Sequence, residues 1–184
     1  MSDLEKLTNL VLAPYIMKAT ALIGIRRKIG GNQFRHAFAT LGILLDYKQF
    51  SDHILLKASV IHDLLEDIPS TDIMGLKNIE PEAWKVIDLV LEVTRKYGEE
   101  KTDFLKRILY TGSRNAQLLK AADRISNLTD LHPGYFSDLK MSKYLDETEK
   151  YIVPMAKNVN PDMVIELLDL IDIRRKLIAQ NLDI

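Results

Sequence analysis

The sequence predicts an all-α fold in a single domain. Apolar residues recur at helical spacing along almost the whole chain, whereas the alternating patterns of strands and Asn-Gly hairpin signals are absent. The chain has 184 residues, of which 47% are hydrophobic, so it is long enough for one well-buried core and short for two. We therefore expect one compact bundle of about seven or eight helices that spans residues 1–184.

Glycine, proline and capping residues predict where these helices begin and end. Gly30-Gly31 and Gly112 interrupt the apolar pattern, and Asn160 can cap a helix that has Pro161 in its first turn. The predicted helices cover Leu4 to about Lys28, Gln33 to about Tyr47, a cap at Ser51 or Asp52 to just before Pro69, Pro81 to Lys96, Thr102 to Tyr110, Asn115 to about Leu131, Ser137 to Lys157 and Asp162 to Asn181, with a loop from Pro69 to Glu80.

Composition and charge exclude several classes of protein. The 25 basic and 26 acidic side chains give a formal charge of -1, so no global field attracts nucleic acid or an anionic membrane. The absence of cysteine excludes disulfides, thiolate zinc sites and cysteine nucleophiles, and it fits a reducing compartment. The first residues do not resemble a secretory signal, and no apolar stretch has the length of a membrane span. We expect a cytoplasmic protein that binds neither nucleic acid nor membrane, and the sequence makes no prediction of its oligomeric state.

Two histidines and two aspartates occur in an order that a divalent metal could gather into one site. They are His36, the adjacent pair His62-Asp63, and Asp123. Near a helix end, neighbouring residues such as His62 and Asp63 can both reach one ion. Imidazole and carboxylate ligands without sulfur suit manganese, iron, zinc or magnesium, and manganese (Mn2+) is our first expectation.

An acidic pair, Glu66-Asp67, follows one turn after the His-Asp pair and shortly before Pro69. Three carboxylates near the C-terminal end of a helix are unfavourable unless a cation or a basic ligand compensates them. His62 and Glu66 share one face of the helix, and Asp63 and Asp67 share another. A carboxylate beside a metal-bound water can orient or deprotonate it, so the acidic pair is a candidate for acid-base catalysis.

Each of these residues has a structural interpretation when it is taken singly. An isolated His36 is most often an ordinary buried or surface histidine, Glu66-Asp67 is a solvated helix end, and Asp123 is a partner of Arg124. Their joint occurrence favours the metal site.

The combined pattern resembles the HD phosphohydrolase superfamily, in which a His, a later His-Asp pair and a distant Asp recur. Within it, the chain is most similar to the hydrolase domain of the RelA/SpoT homologues and to the small stand-alone alarmone (ppGpp) hydrolases. Three blocks carry the resemblance: Val60-Ile61-His62-Asp63-Leu64-Leu65-Glu66-Asp67-Ile68-Pro69, Leu119-Lys120-Ala121-Ala122-Asp123-Arg124-Ile125-Ser126-Asn127-Leu128, and Arg27-Lys28-Ile29-Gly30 ahead of His36.

The resemblance implies an HD-domain helical bundle with a single manganese ion in its active site. By position, the implied metal ligands are His36, His62, Asp63 and Asp123. Glu66 and Asp67 would manage the attacking water. The implied contacts to a phosphorylated nucleotide are Arg27, Lys28, Asn127 and, further along the chain, Tyr144.

The chain departs from the family around its first histidine. Where the family has Pro-Tyr-Ile before this histidine and Pro after it, the chain has Gln33-Phe34-Arg35 before His36 and Ala37 after it. We therefore expect the wall of the nucleotide pocket to differ. Arg35 adds a positive charge that we expect near the phosphate path, where it can shift the choice between guanosine alarmones, adenosine analogues and other phosphorylated nucleotides.

Three functions are compatible with this pattern. The leading hypothesis is a metal-dependent hydrolase that removes the 3'-pyrophosphate of guanosine 3',5'-bis(diphosphate), or of its pentaphosphate analogue, to give GDP or GTP and pyrophosphate. An alternative is an HD phosphohydrolase that acts on another nucleotide, such as a nucleoside monophosphate or a cyclic nucleotide. The third is a helical binding module in which the metal is a structural clamp.

Overall fold

Helices and the segments between them account for residues 2–181, the part of the chain that this computed structural model describes. The predicted all-α class is confirmed, and the strand-like pairing within that range is an isolated β-bridge between Arg26 and Asn32. Met1 and residues 182–184, which the predicted domain includes, lie outside the described residues. None of the helices within residues 2–181 is both long and apolar enough to cross a membrane.

The helices are more numerous than the seven or eight predicted, because several predicted helices are divided. In chain order they are α1 (Asp3–Thr8), α2 (Ala13–Ala19), α3 (Gln33–Asp46), α4 (His53–Ile61), α5 (Leu64–Asp67), α6 (Ile73–Lys77), α7 (Ala83–Val93), α8 (Lys101–Thr111), α9 (Arg114–Asp130), α10 (Asp138–Glu147), α11 (Val153–Val159) and α12 (Pro161–Asn181). A 3-10 turn (Thr20–Gly24) follows α2, and a π-helical turn (Thr148–Ile152) joins α10 to α11.

A buried helix, α9, lies at the centre of the bundle. Helices α3, α7, α11 and α12 pack against it. Its side chains at Ala116, Ala121 and Ala122 are fully buried, and their small size lets these neighbours approach closely. Ser113 caps its first turn by accepting a hydrogen bond from the N–H of Ala116 at 3.1 Å. Because α9 is packed on several sides, the polar side chains that it carries lie in the interior, where they can form a buried site.

The N-terminal region differs from the single helix predicted from Leu4 to about Lys28. It forms α1, α2 and the 3-10 turn, and residues 9–12 separate α1 from α2. Pro14 lies in the first turn of α2, where its missing N–H costs no hydrogen bond. A continuous helix would have placed this proline in its interior. The prediction of one long helix was therefore wrong.

The Gly30-Gly31 pair ends a turn rather than a helix. Gly30 has φ 91° and Gly31 has φ 70°, values in the left-handed region that residues with a Cβ adopt at a cost. The turn reverses the chain between Arg26 and Asn32, whose backbones form the isolated bridge. Arg27 thereby lies ahead of α3, and the side chain of Asn32 caps that helix.

The predicted loop from Pro69 to Glu80 contains a short helix, α6. Asp72 caps it by accepting a hydrogen bond from the N–H of Gly75 at 3.0 Å. The next helix, α7, is shorter than the predicted range of Pro81 to Lys96. It ends where Thr94 adopts an extended conformation, with φ −81° and ψ 132°.

Several predicted boundaries are confirmed. Of the two candidate caps before α4, Asp52 accepts a hydrogen bond from the N–H of Leu55 at 3.0 Å. Asn160 accepts one from the N–H of Asp162 at 3.1 Å at the start of α12. Helices α8 and α9 begin and end within one residue of the predicted positions.

The predicted helix from Ser137 to Lys157 forms as a continuous helical run, with the π-helical turn in its middle. Pro154 lies in the first turn of α11 and has no N–H to donate to the preceding turn. A wider turn accommodates this loss. Thr148 in this turn is fully buried and accepts a hydrogen bond from the guanidinium of Arg124 at 2.7 Å, which ties the turn to α9.

An ion pair holds the link between α7 and α8. Arg107 donates to the two carboxylate oxygens of Glu99 at 2.7 and 2.9 Å. The same guanidinium donates to the carbonyl oxygens of Glu92 and Thr94 at the end of α7. The hydrogen bonding from Arg107 lowers the pKa of Glu99 to about 2.

We predict that Glu99→Gln lowers the free energy of unfolding by about 1 kcal/mol at neutral pH, a value reduced for solvent screening. Because the folded pKa of Glu99 lies below its unfolded value of 4.5, this stabilisation is present above that value and is lost as the pH falls towards 2. Urea unfolding of both proteins from neutral to acidic pH measures the difference, which should narrow in acid. Glu100→Gln is the control, since the Glu100 side chain makes no capping hydrogen bond. A difference that does not depend on pH would contradict the prediction.

Candidate metal centre and active site

The helix that carries the His-Asp pair breaks at the pair itself, and these two residues separate α4 from α5. Asp63 has φ −92° and ψ −5°, a sparsely populated region of the backbone. In a regular helix the two side chains would point about 100° apart. The break brings His62 within 3.8 Å of Asp123 and Asp63 within 3.5 Å of His36.

Three parts of the chain bring the four predicted metal ligands together. His36 comes from α3, Asp123 comes from α9, and the other two come from the break between α4 and α5. Nε2 of His36 lies 3.1 Å from Oδ1 of Asp123. Nε2 of His62 lies 3.2 Å from Oδ2 of Asp63. Ligand atoms of His36, His62 and Asp123 lie within 4.8 Å of one another, so one metal ion could contact all three.

The Nδ1 hydrogen bonds of both histidines turn Nε2 towards the aspartates of the cluster, and Nε2 of His36 is hydrogen-bonded to Asp123 at 3.1 Å. Nδ1 of His62 lies 2.8 Å from the carbonyl oxygen of Ser59, to which its N–H donates, so Nε2 is the nitrogen that can bind a metal once it is deprotonated. That Nε2 is buried and has no hydrogen-bond partner among the described residues, which is costly for a polar atom. Nδ1 of His36 lies 2.9 Å from the hydroxyl of Ser126, to which it can donate. The donor set therefore fits a divalent ion.

Neighbouring charges favour the ionised forms of Asp123 and His62. Burial opposes ionisation of Asp123, but Lys120 and the two histidines outweigh it and hold the pKa of Asp123 well below its usual range. Burial also opposes the charged form of His62, yet Asp63 and Asp123 favour it more strongly and raise the pKa of His62 well above its usual value. Because histidine binds a metal only in its deprotonated form, metal binding would displace this proton and would weaken in acid.

The two acidic residues after the break lie in different surroundings. Asp67 is half-buried, and its Oδ2 accepts a hydrogen bond from Nε2 of Gln33 at 2.8 Å. Burial raises the pKa of Asp67, and the hydrogen bond from Gln33 partly offsets this effect. Glu66 is exposed, and its carboxylate accepts a hydrogen bond from the backbone N–H of Arg95 at 2.5 Å. A raised carboxyl pKa makes Asp67 a stronger proton acceptor.

Gln33 links the acidic pair to the predicted nucleotide contacts. Besides Asp67, its Nε2 lies 3.4 Å from Oδ2 of Asp63, and its Oε1 accepts a hydrogen bond from Arg27 at 3.4 Å. The sequence identified Gln33 only as a departure from the family pattern. Nothing in the order of the residues indicates that position 33 meets position 67.

A cavity of about 320 Å³ adjoins this cluster, and we call it the Arg27 cavity. Arg27 donates to Oδ1 of Asn127 at 2.9 Å, and Asn127 donates to Oδ1 of Asp123 at 2.5 Å. Hydrogen bonds therefore connect the cavity directly to a candidate metal ligand. All four predicted nucleotide contacts line the cavity, together with Asp67: Arg27, Lys28, Asn127 and Tyr144.

Aromatic and cationic side chains face each other in the wall of the Arg27 cavity. Nζ of Lys28 lies 6.0 Å and Nζ of Lys140 lies 5.1 Å from the centre of the Phe136 ring. Tyr144 also lines this wall, and its ring lies 4.0 Å from the guanidinium of Arg124, which is outside the wall. Flat rings beside cations suit a nucleobase and phosphate groups. Phe136 and Lys140 were not among the predicted site residues, because a lone aromatic residue and a lone lysine carry no pattern.

The residues that depart from the family pattern lie in different places. Gln33 lines the Arg27 cavity, whereas Phe34 packs on Phe38 with ring centres 4.8 Å apart. Ala37 is fully buried in the core. Arg35 is exposed and does not line the Arg27 cavity; it lines an adjoining cavity of about 460 Å³, whose wall also includes Arg27 and His36. Of the four residues that depart from the family pattern, Gln33 is therefore the one that changes the wall of the Arg27 cavity.

Three supporting residues escaped the sequence-based prediction. Lys120 and Ser126 lie three residues before and three residues after Asp123, so helical spacing could have identified them as sharing its face. Ser59 acts through its backbone carbonyl, a role that has no sequence signal.

A helical bundle that gathers two histidines and two aspartates is the arrangement that the HD pattern predicts. Neither protein-family models nor curated protein sequences match this chain. Among solved structures, it is similar to a metazoan orthologue of SpoT that is described as hydrolysing ppGpp and as playing a role in starvation responses. The likeness has a TM-score of 0.76 and covers 89% of this chain and 94% of that chain, at 22% sequence identity. At this identity the likeness shows a shared fold, and it confirms the predicted all-α bundle.

We predict that Mn2+ raises the melting temperature and that a chelator reverses the increase, because the ligands converge only in the folded state. An ion at a hundredfold excess over its Kd would add about 3 kcal/mol to the free energy of unfolding. His62→Gln should abolish the shift, since it removes the nitrogen that has no hydrogen-bond partner. His132→Asn is the control, because His132 is exposed and lies outside the cluster. Thermal unfolding measures the shift, and an equal shift in both variants would rule out metal binding at this cluster.

Proposed function

We propose that this chain is a manganese-dependent hydrolase that removes the 3'-pyrophosphate of guanosine 3',5'-bis(diphosphate), or of its pentaphosphate analogue. The products are GDP or GTP and pyrophosphate. One observation carries the proposal: half-buried Asp67 lines the same cavity as Arg27 and Asn127, and Gln33 joins it to Asp63 of the metal centre. The metazoan SpoT orthologue of similar fold is described as hydrolysing ppGpp, which supports the same reaction here.

The proposed metal site has donors that suit manganese. His36, His62, Asp63 and Asp123 would hold the ion, and imidazole with carboxylate and no sulfur fits manganese among other divalent ions. When bound, a divalent ion supplies a water of lowered pKa and neutralises charge on phosphoryl oxygens.

Asp67 is the proposed base. The hydrogen bond from Gln33 holds Oδ2 of Asp67, which leaves Oδ1 to accept a proton from the attacking water. Burial raises the pKa of Asp67, which strengthens it as a base. Water adds to the phosphorus that carries the 3'-oxygen, and the bond between that phosphorus and the 3'-oxygen breaks. The proton that Asp67 accepts balances the one that the departing oxygen takes up. The carboxylate of Glu66 accepts a hydrogen bond from the N–H of Arg95, which holds it in place, and it would orient the water.

The Arg27 cavity would bind the nucleoside and its 5'-phosphates. Phe136 offers a ring face to the base, and Lys28 and Lys140 beside it offer charges to the phosphates. Asn127 is hydrogen-bonded to Arg27, and its contact with Asp123 of the metal centre supports a role for it at the ribose end of the nucleotide.

The identity of the released group tests the function. We expect Mn2+-loaded protein to release pyrophosphate from guanosine 3',5'-bis(diphosphate) and nothing from nucleotides that lack a 3'-diphosphate. Chromatography of the products on a panel of phosphorylated nucleotides measures this. Orthophosphate from nucleoside monophosphates would favour the alternative phosphohydrolase. No turnover of any nucleotide, together with a retained metal-dependent melting shift, would favour a binding module.

Two variants in the same assay separate catalysis from metal binding. Glu66→Gln and Asp67→Asn should each lower kcat about 100-fold or more, the usual contribution of a general acid or base. Both should keep the stabilisation by Mn2+, because neither residue is one of the proposed ligands. Asp103→Asn is the control, since Asp103 is exposed and, within residues 2–181, its carboxylate pairs with Lys106 on the surface of α8. Loss of the Mn2+ effect in either acidic variant would contradict the assignment of roles.

Gln33 is expected to act as a positioning residue for Asp67. Gln33→Met has a similar size but no donor, so it should lower kcat about 10-fold, the effect of one lost hydrogen bond to a charged group. KM should change less, because Arg27 keeps its hydrogen bond to Asn127. Gln33→Glu should not restore kcat, since it places a second carboxylate beside Asp67. Steady-state kinetics measure both constants, with Gln49→Met as a control outside the cavity. A change mainly in KM would speak against positioning.

A further inference from the structure

The cavity of about 460 Å³ that has Arg35 in its wall takes no part in the proposed reaction, and we call it the Arg35 cavity. Three helices line it: His36 comes from α3, Ser126 comes from α9 and Glu166 comes from α12. Its volume lies within the roughly 300–1,000 Å³ of small-molecule sites. The Arg35 cavity shares Arg27 with the Arg27 cavity, yet it reaches the metal centre separately, through His36.

Ser126 is a buried hydroxyl in the wall of the Arg35 cavity, and it contacts a candidate metal ligand. It is 4% exposed, and its Oγ lies 2.9 Å from Nδ1 of His36. When Nε2 of a neutral histidine binds a metal, its proton must be on Nδ1, which here donates to Oγ of Ser126. The contact with His36 is the one hydrogen bond that this Oγ makes within residues 2–181. The hydroxyl proton of Ser126 is then left without a protein acceptor, and a ligand in the cavity can supply one.

Arg35 supplies a positive charge that the protein itself does not neutralise. Its guanidinium forms no ion pair within the part of the chain that the structure describes, and its side chain is exposed. The two acids of the wall already have partners. Asp130 lies 3.4 Å from Arg27, and Glu166 accepts a hydrogen bond from the hydroxyl of Tyr47 at 2.6 Å. Since a guanidinium has five N–H donors in a planar fork, Arg35 suits the oxygens of a carboxylate or a phosphate.

The rest of the wall defines the kind of molecule that fits the Arg35 cavity. It includes four apolar side chains, which are Ile29, Ala39, Ile43 and Ile125. These favour a ligand with a carbon skeleton over a bare inorganic ion. The matching ligand is a small organic anion. Its carboxylate or phosphate pairs with Arg35 at the exposed side, and a further oxygen accepts the proton of Ser126 at the buried side.

We propose that the Arg35 cavity is an effector site for a small organic anion, and that the bound anion strengthens metal binding through Ser126 and His36. A ligand oxygen that accepts the hydroxyl proton of Ser126 makes Oγ a better acceptor for the Nδ1–H of His36. A stronger hydrogen bond at Nδ1 makes Nε2 a better metal ligand. Because coupling between two binding sites is reciprocal, the metal strengthens anion binding by the same factor. This effect requires the metal centre but not the proposed reaction.

Calorimetric titration with Mn2+ tests the coupling without any turnover. The two probes are succinate, a carboxylate, and glycerol 3-phosphate, a phosphate monoester, and each carries a further oxygen beyond its anionic group. Chloride at equal ionic strength is the reference. At saturation, at least one probe should lower the Kd of Mn2+ about fivefold or more, the lower range of coupling between sites. The probe that acts identifies whether the site takes a carboxylate or a phosphate.

Two variants separate anion binding from its effect on the metal. Arg35→Gln should leave the Kd of Mn2+ in chloride unchanged and should abolish the effect of the probe, because it removes the charge that binds the anion. Ser126→Ala should weaken Mn2+ binding in chloride about 10-fold, the lower end of the effect of losing the partner of a metal-binding histidine. It should also remove the coupling, since no hydroxyl then joins the ligand to His36.

Arg114→Gln and Ser70→Ala are the matched controls, because both residues are exposed and neither lines the Arg35 cavity. Melting curves show whether each variant is folded. Arg35 is exposed, so its variant keeps the test informative if Ser126→Ala does not fold.

Amide chemical shifts in NMR spectra of the metal-free protein locate the bound probe. The N–H signals of Gly30, Gly31 and Thr129 should move during the titration, because these residues line the Arg35 cavity and not the Arg27 cavity. The signals of Phe136 and Lys140, which line only the Arg27 cavity of these two, should stay in place.

An unchanged Kd of Mn2+ with both probes would overturn the inference. So would an equal effect of the probe in the wild type and in Arg35→Gln, the result expected if the probe binds the metal directly. Amide shifts confined to the Arg27 cavity would also overturn it. If the coupling follows the expected pattern but no 3'-diphosphate is hydrolysed, the effector site stands and the proposed reaction fails. If hydrolysis occurs without the coupling, the reaction stands and the effector site fails.

Discussion

The arrangement of this protein depends on one buried carboxylate, that of Asp123 on the central helix α9. It is contacted by His36 from α3, by His62 from the break between α4 and α5, and by Lys120 and Asn127 from its own helix. A buried carboxylate is tolerated only when it is paired and hydrogen-bonded. The helices must therefore bring these partners to one point. The same requirement that stabilises Asp123 positions three parts of the chain and forms the candidate metal centre.

Two cavities of similar size meet at this point, and each contains one member of the acidic pair. Asp67 lines the Arg27 cavity, and Glu66 lines a cavity of about 310 Å³ whose wall also includes Asp63 and Asp123. Adjacent residues on a helical turn diverge, so one turn of helix can supply carboxylates to both cavities. This geometry gives the two acids different burial and different hydrogen-bond partners, and hence different chemical roles in the reaction that we propose.

The site also holds polar atoms that folding leaves without partners. Nε2 of His62 and Nε of Arg124 are both buried and unpaired among the described residues. Such atoms lower the stability of a fold, and they concentrate where a ligand completes the structure. One of them lies at the candidate metal centre, and the other lies on α9 beside Tyr144. The first therefore links the cost of forming this structure to the metal that we propose for it.

The sequence by itself determined the all-α class and most helix ends beyond residue 33. It also identified the candidate metal ligands, which are His36, His62, Asp63 and Asp123. Helical periodicity, caps and the order of an HD pattern are local or linear signals that a single chain displays. Only the tertiary structure decided that the helix breaks at His62-Asp63, that Gln33 holds Asp67, and that two cavities meet at Asn127 and Tyr144. These features depend on the packing of α3, α5, α9 and α10, and residues far apart along the chain meet only when that packing forms.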